Sequence, residues 1–132
     1  MLSLHHAHLM CSDIDATLDF LVRGLGADVI RDVDFAGARN VLLQLGSGHV
    51  HLYDQAPKHP GQGTVHHLGI QSDDLETARK RLQDIGASVT EIRSDPLADY
   101  LMAQGPDKLL LEIFAPRAEV LAELPDYFAM NR

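Results

Sequence analysis

Polar and apolar positions alternate with period two over residues 4–11, where Leu4, His6, His8 and Met10 fall on one side and His5, Ala7, Leu9 and Cys11 on the other. This period predicts a strand, because successive side chains of an extended chain point to opposite faces. Ser12 or Asp13 then stands where a side-chain oxygen would cap a helix running to about Arg23, and Gly24 and Gly26 stop it. Apolar alternation returns at about 28–35, 40–45 and 49–54, separated by the turn residues Ala36-Gly37-Ala38 and Gly46-Ser47-Gly48.

The same order recurs further along. His6-Ala7-His8-Leu9-Met10-Cys11-Ser12-Asp13-Ile14-Asp15 is echoed 61 residues on by His67-Leu68-Gly69-Ile70-Gln71-Ser72-Asp73-Asp74-Leu75-Glu76, and Gly26-Ala27-Asp28-Val29 is echoed 60 residues on by Gly86-Ala87-Ser88-Val89. In this second half Asp73 or Asp74 caps a helix to about Ile85, and strands are predicted near 88–93, 99–104 and 109–115, with turns at Ser94-Asp95-Pro96 and Gly105-Pro106-Asp107. A repeat of this kind constrains the whole fold. It predicts two βαβββ modules, about 4–54 and 65–116. The segment between them, 55–64, carries Pro57, Pro60, Gly61 and Gly63 and reads as a linker, since proline and glycine suit neither a helix interior nor a central strand. Beyond Pro116, the spacing of Val120, Leu121, Leu124 and Phe128 predicts one amphipathic helix over 117–130 that covers the core.

Composition narrows the class. A chain of 132 residues, 45% of them hydrophobic, suits one core and therefore a single α+β domain spanning 1–132. No stretch approaches the roughly 18 apolar residues of a membrane span, so a soluble, cytoplasmic protein without a membrane partner is expected. The net charge of -8 arises from acidic residues scattered along the chain, with no basic cluster to neutralise phosphates, which argues against nucleic acid as a partner. A single cysteine, Cys11, permits neither an internal disulfide nor a Cys-rich zinc site, and its place on the core-facing side of the first strand makes it a small buried hydrophobe. With no Trp, four Phe and three Tyr, the chain is poorly stocked to sandwich an aromatic ligand. A polar or metal-chelated small molecule fits better.

Eight histidines remain to be placed. Alternation puts His6 on the open face of the first strand, and the repeat puts His67 on the open face of its counterpart. His51, in His49-Val50-His51-Leu52-Tyr53, and Glu112, in Leu111-Glu112-Ile113-Phe114, are equivalent positions of the last strands, each flanked by apolar residues aimed the other way. The repeat therefore pairs ligand with ligand, His6 with His67 and His51 with Glu112. A carboxylate inside the apolar run 109–114 is costly to desolvate without a compensating charge. Three imidazoles at the related positions supply the reason for it: a divalent metal ion held by His6, His51, His67 and Glu112. On the same argument His5 and His66 point away from the site, and His59 lies solvated in the linker.

These residues resemble the vicinal oxygen chelate superfamily, which includes glyoxalase I, methylmalonyl-CoA epimerase, extradiol dioxygenases, thiol transferases acting on fosfomycin and bleomycin resistance proteins. The resemblance covers about residues 4–116. It is carried by His6-x6-Asp13, by His67-x6-Asp74, and by the run from Gly105-Pro106-Asp107-Lys108 to Glu112-Ile113, similar to that family's Asp-Pro-Asp-Gly-x-x-x-Glu ending. Gly105 replaces the family's first Asp and Lys108 its Gly. The resemblance implies that the two modules form a cupped mixed sheet with helices outside, with the C-terminal helix added. It also implies that the metal is held at positions 6, 51, 67 and 112 and that the protein is a homodimer, some members building the site across subunits. His51 stands where glyoxalase-type and epimerase-type members usually carry Glu or Gln.

Three imidazoles and one carboxylate suit Zn, Ni, Co, Fe or Mn better than Mg or Ca. A six-coordinate ion with four protein ligands leaves two adjacent openings for a substrate with neighbouring oxygens. The chemistry expected is proton transfer next to a carbonyl, in a lyase or isomerase of the glyoxalase type. Glu112 is the first acid/base candidate and His8 the second, while His49 and Tyr100 are candidates for orienting substrate. His8 also reads as a plain cavity-wall histidine. The alternatives are an Fe(II) dioxygenase using His6, His67 and Glu112, and a metal-free small-molecule or antibiotic binding protein.

Overall fold

The computed structural model describes residues 1, 3–63 and 65–130. Two βαβββ units are present. In the first, β1 (His6–Met10) is followed by α1 (Ile14–Asp19), which continues as a π-helical turn over Phe20–Gly24, and then by β2 (Asp28–Phe35), β3 (Ala38–Leu45) and β4 (Gly48–Tyr53). The second has β5 (Leu68–Gln71), α2 (Leu75–Asp84), β6 (Ser88–Val89), β7 (Arg93–Ser94), β8 (Ala98–Gln104) and β9 (Leu110–Pro116), with α3 (Ala118–Glu123) after it. Among the described residues no helix is long and apolar enough to cross a membrane.

Both helices start on the aspartate that ends the repeated motif. Asp13 Oδ1 accepts a hydrogen bond from the Ala16 amide at 3.1 Å, and Asp74 Oδ1 one from the Thr77 amide at 3.0 Å. Both are followed by a left-handed glycine, Gly26 and Gly86, each at φ 77, where a side chain would meet its own backbone. The repeat in the sequence thus marks equivalent starts and stops of local structure.

The strands form two separate sheets, in the orders β1-β4-β3-β2 and β5-β9-β8-β6, with β7 also pairing with β8. In each, first and last strands pair in parallel while the rest is antiparallel. The core-facing sides meet in one hydrophobic cluster. Val41, Leu52, Leu82, Leu101 and Leu111 have 0% of their surface exposed, and the π-helical turn adds Phe20 and Leu21. A second tie between the modules joins Ser12, through its amide and its hydroxyl, to the Asp107 carboxylate.

The structure departs from two sequence expectations here. The strand expected at 88–93 is split into β6 and β7, because the Thr90 hydroxyl accepts the Met102 amide at 2.9 Å and takes over a ladder position. The helix expected over 117–130 ends at Glu123. Pro125 is the reason: a proline disfavours helical geometry in the residue before it, and Leu124 sits at φ -129, ψ 56. Phe128 packs edge-on against Phe114, ring centroids 6.2 Å apart, and its carbonyl accepts from Gln71 Nε2 at 2.9 Å.

Candidate metal centre

The parallel pairing of β1 with β4 sets His6 opposite His49 and His8 opposite His51. In β4 the burial alternates as expected: Val50 and Leu52 enter the core, while His49, His51 and Tyr53 are partly exposed on the other face. The His6 and His51 rings stack with centroids 3.7 Å apart and 16° from parallel. His8 lies in the same group, its ring 5.7 Å from that of Tyr53. One face of a small sheet thereby gathers five imidazoles, those of His5, His6, His8, His49 and His51.

Burial, and then the neighbouring imidazoles with His6 foremost, push the His51 pKa below its ordinary value, so its lone pair is free at neutral pH. A neutral imidazole is the form that ligates a metal.

In the second module β5 pairs with β9 and sets Gly69 opposite Glu112. Leu111 and Ile113, at 0% and 1% exposure, anchor β9 in the core, which leaves Glu112 on the open face with a third of its side chain exposed. His67 Nε2 lies 3.8 Å from Glu112 Oε2. That is too long for a hydrogen bond and less than twice a zinc–ligand bond of about 2.0–2.2 Å. Tyr100 and Met102 sit opposite Phe114 and Glu112 on β8, so they share this open face.

The four expected ligands come together two by two: His6 with His51 on the first sheet, His67 with Glu112 on the second. Among the described residues the one trio of possible ligand atoms lying within 4.8 Å of one another is that of His5, His6 and His51. Among the described residues, no trio drawn from both pairs brings its ligand atoms within 4.8 Å of one another. The repeat duplicates the face of each sheet, and it carries no information on how the two sheets are set against each other. Two surface clefts lie elsewhere: one is lined by Asp34, Phe35, Gly37 and Ala38, another by Phe20, Ile85, Gly86 and Gly105. Neither contains an expected ligand.

Two histidines differ from expectation. His5 and His66 do not point away: His5 Nδ1 lies 3.2 Å from His6 Nδ1, and His66 Nδ1 lies 2.8 Å from His67 Nδ1. Hydrogen-bonded strands begin only at His6 and at Leu68, so both residues precede the ladder that enforces alternation. The available signal was the His-His dipeptide repeated at the same offset. His49, expected to orient substrate, stacks on His5 at 4.2 Å and donates from Nδ1 to the His5 carbonyl oxygen at 3.1 Å. His59 is exposed in the linker, as expected. Cys11 is 1% exposed, and burial pushes its thiol pKa up, which makes it inert as a nucleophile.

Known proteins share this arrangement of strands. Over 122 residues the chain is 29% identical to the uncharacterized protein YwkD of Bacillus subtilis (strain 168), covering 85% of this chain and 95% of that one. Its fold is similar to that of TnmS3, an antibiotic binding protein from Streptomyces sp. CB03234, at a TM-score of 0.76 and 23% identity, covering 89% of this chain and 98% of the other. It is equally similar to that of a mutant of the fosfomycin resistance protein FosX from Listeria monocytogenes, complexed with Mn(II) and dihydroxypropylphosphonic acid, at a TM-score of 0.75 and 17% identity over 93% and 98% of the two chains. With residues 3–113 matching the family's sequence profile, the chain belongs to the Glyoxalase/Bleomycin resistance protein/Dioxygenase superfamily.

Proposed function

We propose that the protein is a divalent-metal-dependent enzyme of the glyoxalase or epimerase type, moving a proton next to a carbonyl of a small substrate. The observation that carries this reading is the duplicated ligand pair, His6 with His51 and His67 with Glu112, on the open face of each sheet. The donors fit a borderline ion such as Zn, Ni, Co, Fe or Mn, since three neutral imidazoles and one carboxylate are not the all-oxygen set that Mg or Ca prefers. FosX has the same fold in a complex with Mn(II).

Because no trio drawn from both pairs comes within 4.8 Å among the described residues of one chain, the complete site is formed in a homodimer, the first module of one protomer facing the second module of its partner. Val29, Ile30, Val33 and Phe35 of β2, between 37% and 67% exposed, supply apolar surface for such a contact.

When bound, the ion supplies a Lewis acid for a substrate oxygen. Glu112, on the open face beside His67, takes the proton from the carbon next to the carbonyl and returns it. His8, on the first sheet, serves as a second acid/base. Tyr100, two residues along β8 from the partner of Glu112, offers a hydroxyl to orient a substrate oxygen. The closeness of His51 to His6 counts against the dioxygenase alternative, which needs three open positions on the ion.

The test has two steps. Metal analysis of the purified protein after reloading should find about one equivalent of a transition metal per chain. The loaded protein should then exchange a substrate proton for solvent deuterium with at least one member of a panel of 2-oxo, 2-hydroxy and acyl-thioester compounds. Less than one equivalent favours a binding protein like TnmS3, and full loading without exchange removes the proton-transfer chemistry.

A further inference from the structure

Each first-strand histidine is paired with the histidine before it, and the geometry is the same in both modules. The Nδ1 atoms of His66 and His67 are 2.8 Å apart with their rings at 84°, and those of His5 and His6 are 3.2 Å apart with their rings at 81°. At such distances one Nδ1 carries a proton and the other a lone pair. In His67 the remaining nitrogen, Nε2, faces Glu112, so the two ring nitrogens serve two different partners. An imidazole that ligates through Nε2 keeps its proton on Nδ1 and needs an acceptor for it, which fixes both tautomer and ring orientation.

We propose that His5 and His66 are positioning residues, each accepting at Nδ1 the Nδ1–H of the imidazole that follows it and so holding the Nε2 lone pairs of His6 and His67 toward the metal. This rests on the metal reading above. His5 has a rival role as a third donor from the first module, because it lies within 4.8 Å of His6 and His51. The repeat decides between the two. His66 makes the same pair with His67 yet belongs to no such trio among the described residues, so the feature common to both modules is the hydrogen bond. His5 is moreover held from behind, stacked on His49 and with its carbonyl bonded to the His49 ring.

The experiment measures zinc affinity of the full chain by competition with a chromophoric chelator, for the parent, His5→Phe, His66→Phe and His66→Gln. Phenylalanine keeps a ring without an acceptor, and glutamine restores an acceptor oxygen. Each Phe variant should bind zinc about 10–100-fold more weakly at unchanged stoichiometry, and His66→Gln should recover part of the loss. Nitrogen NMR of the zinc-loaded parent should show scalar coupling between the two Nδ1 atoms of His66 and His67. Cobalt-loaded His5→Phe should keep the visible bands of the parent, since no donor is lost. Parent-like affinity in the Phe variants, missing coupling, or a shifted cobalt band overturns the assignment. A parent that takes up no zinc is a different failure, that of the metal reading itself.

Discussion

Lys108 and Asp107 sit side by side at φ 59 and φ 57, in the left-handed region that costs a residue with a Cβ roughly 1–2 kcal/mol. Asp107 is compensated by the Ser12 amide and hydroxyl, whereas a lysine has no short polar group to offer. Gly105, two positions before Asp107, has the opposite problem. A Cβ there would lie 2.9 Å from Cε1 of Phe20, which is itself only 6% exposed and cannot swing away. The two departures from the family's turn therefore differ in kind: glycine at 105 makes room for Phe20, and lysine at 108 stores strain. In urea melts Lys108→Gly should gain about 1 kcal/mol, and Gly105→Asp should lose about 1–3 kcal/mol by overpacking. Effects of the same sign in both variants would refute this account. The sequence showed both residues as departures from the motif. Which one is compensated depends on Phe20, far away along the chain, and no local pattern carries that contact.

At the scale of elements, the caps are the most legible feature. Asp74 starts α2, and the Thr77 hydroxyl and then the Thr77 amide hold its carboxyl below the usual carboxylate range. A folded-state pKa below the unfolded value of about 3.9 stabilises the protein at higher pH, and that stabilisation is lost as pH falls through the folded value. Asp74→Ala should lower the urea midpoint at pH 7, with the gap to the parent closing below about pH 4. A gap that stays constant from pH 7 to pH 2 would show that the carboxylate charge contributes nothing. Period-two alternation placed Leu111, Ile113 and Glu112 on their proper faces, because a strand inside a ladder leaves no choice. The same rule misplaced His5 and His66, which lie just outside their ladders, and helical spacing overran Pro125, which forbids the last turns whatever the apolar pattern.

For the whole molecule, the decisive feature is that the modules share a core yet keep the two candidate ligand pairs on separate sheets. A variant lacking the first pair, His6→Ala with His51→Ala, and one lacking the second, His67→Ala with Glu112→Ala, should each fail to load metal. Mixed and allowed to exchange subunits, they should regain roughly a quarter of the parent's capacity, since about half of randomly reassorted dimers are mixed and each of those carries one intact site. No recovery on mixing would place the site within one chain. The sequence could not supply this level of organisation. Its repeat states what each sheet presents, while the shared core also draws on Phe20, Leu21 and Leu82 of the helices.

A site divided in this way would tie cation uptake to mass action. If each ion is gripped half by one copy and half by another, ion and partner strengthen each other's hold by the same factor, as linkage requires. Dilution alone would then strip the protein of its ion without any chelator, and a cell that makes little of it would hold mostly empty protomers. Metal supply would raise the assembled fraction, so that abundance and loading rise and fall together.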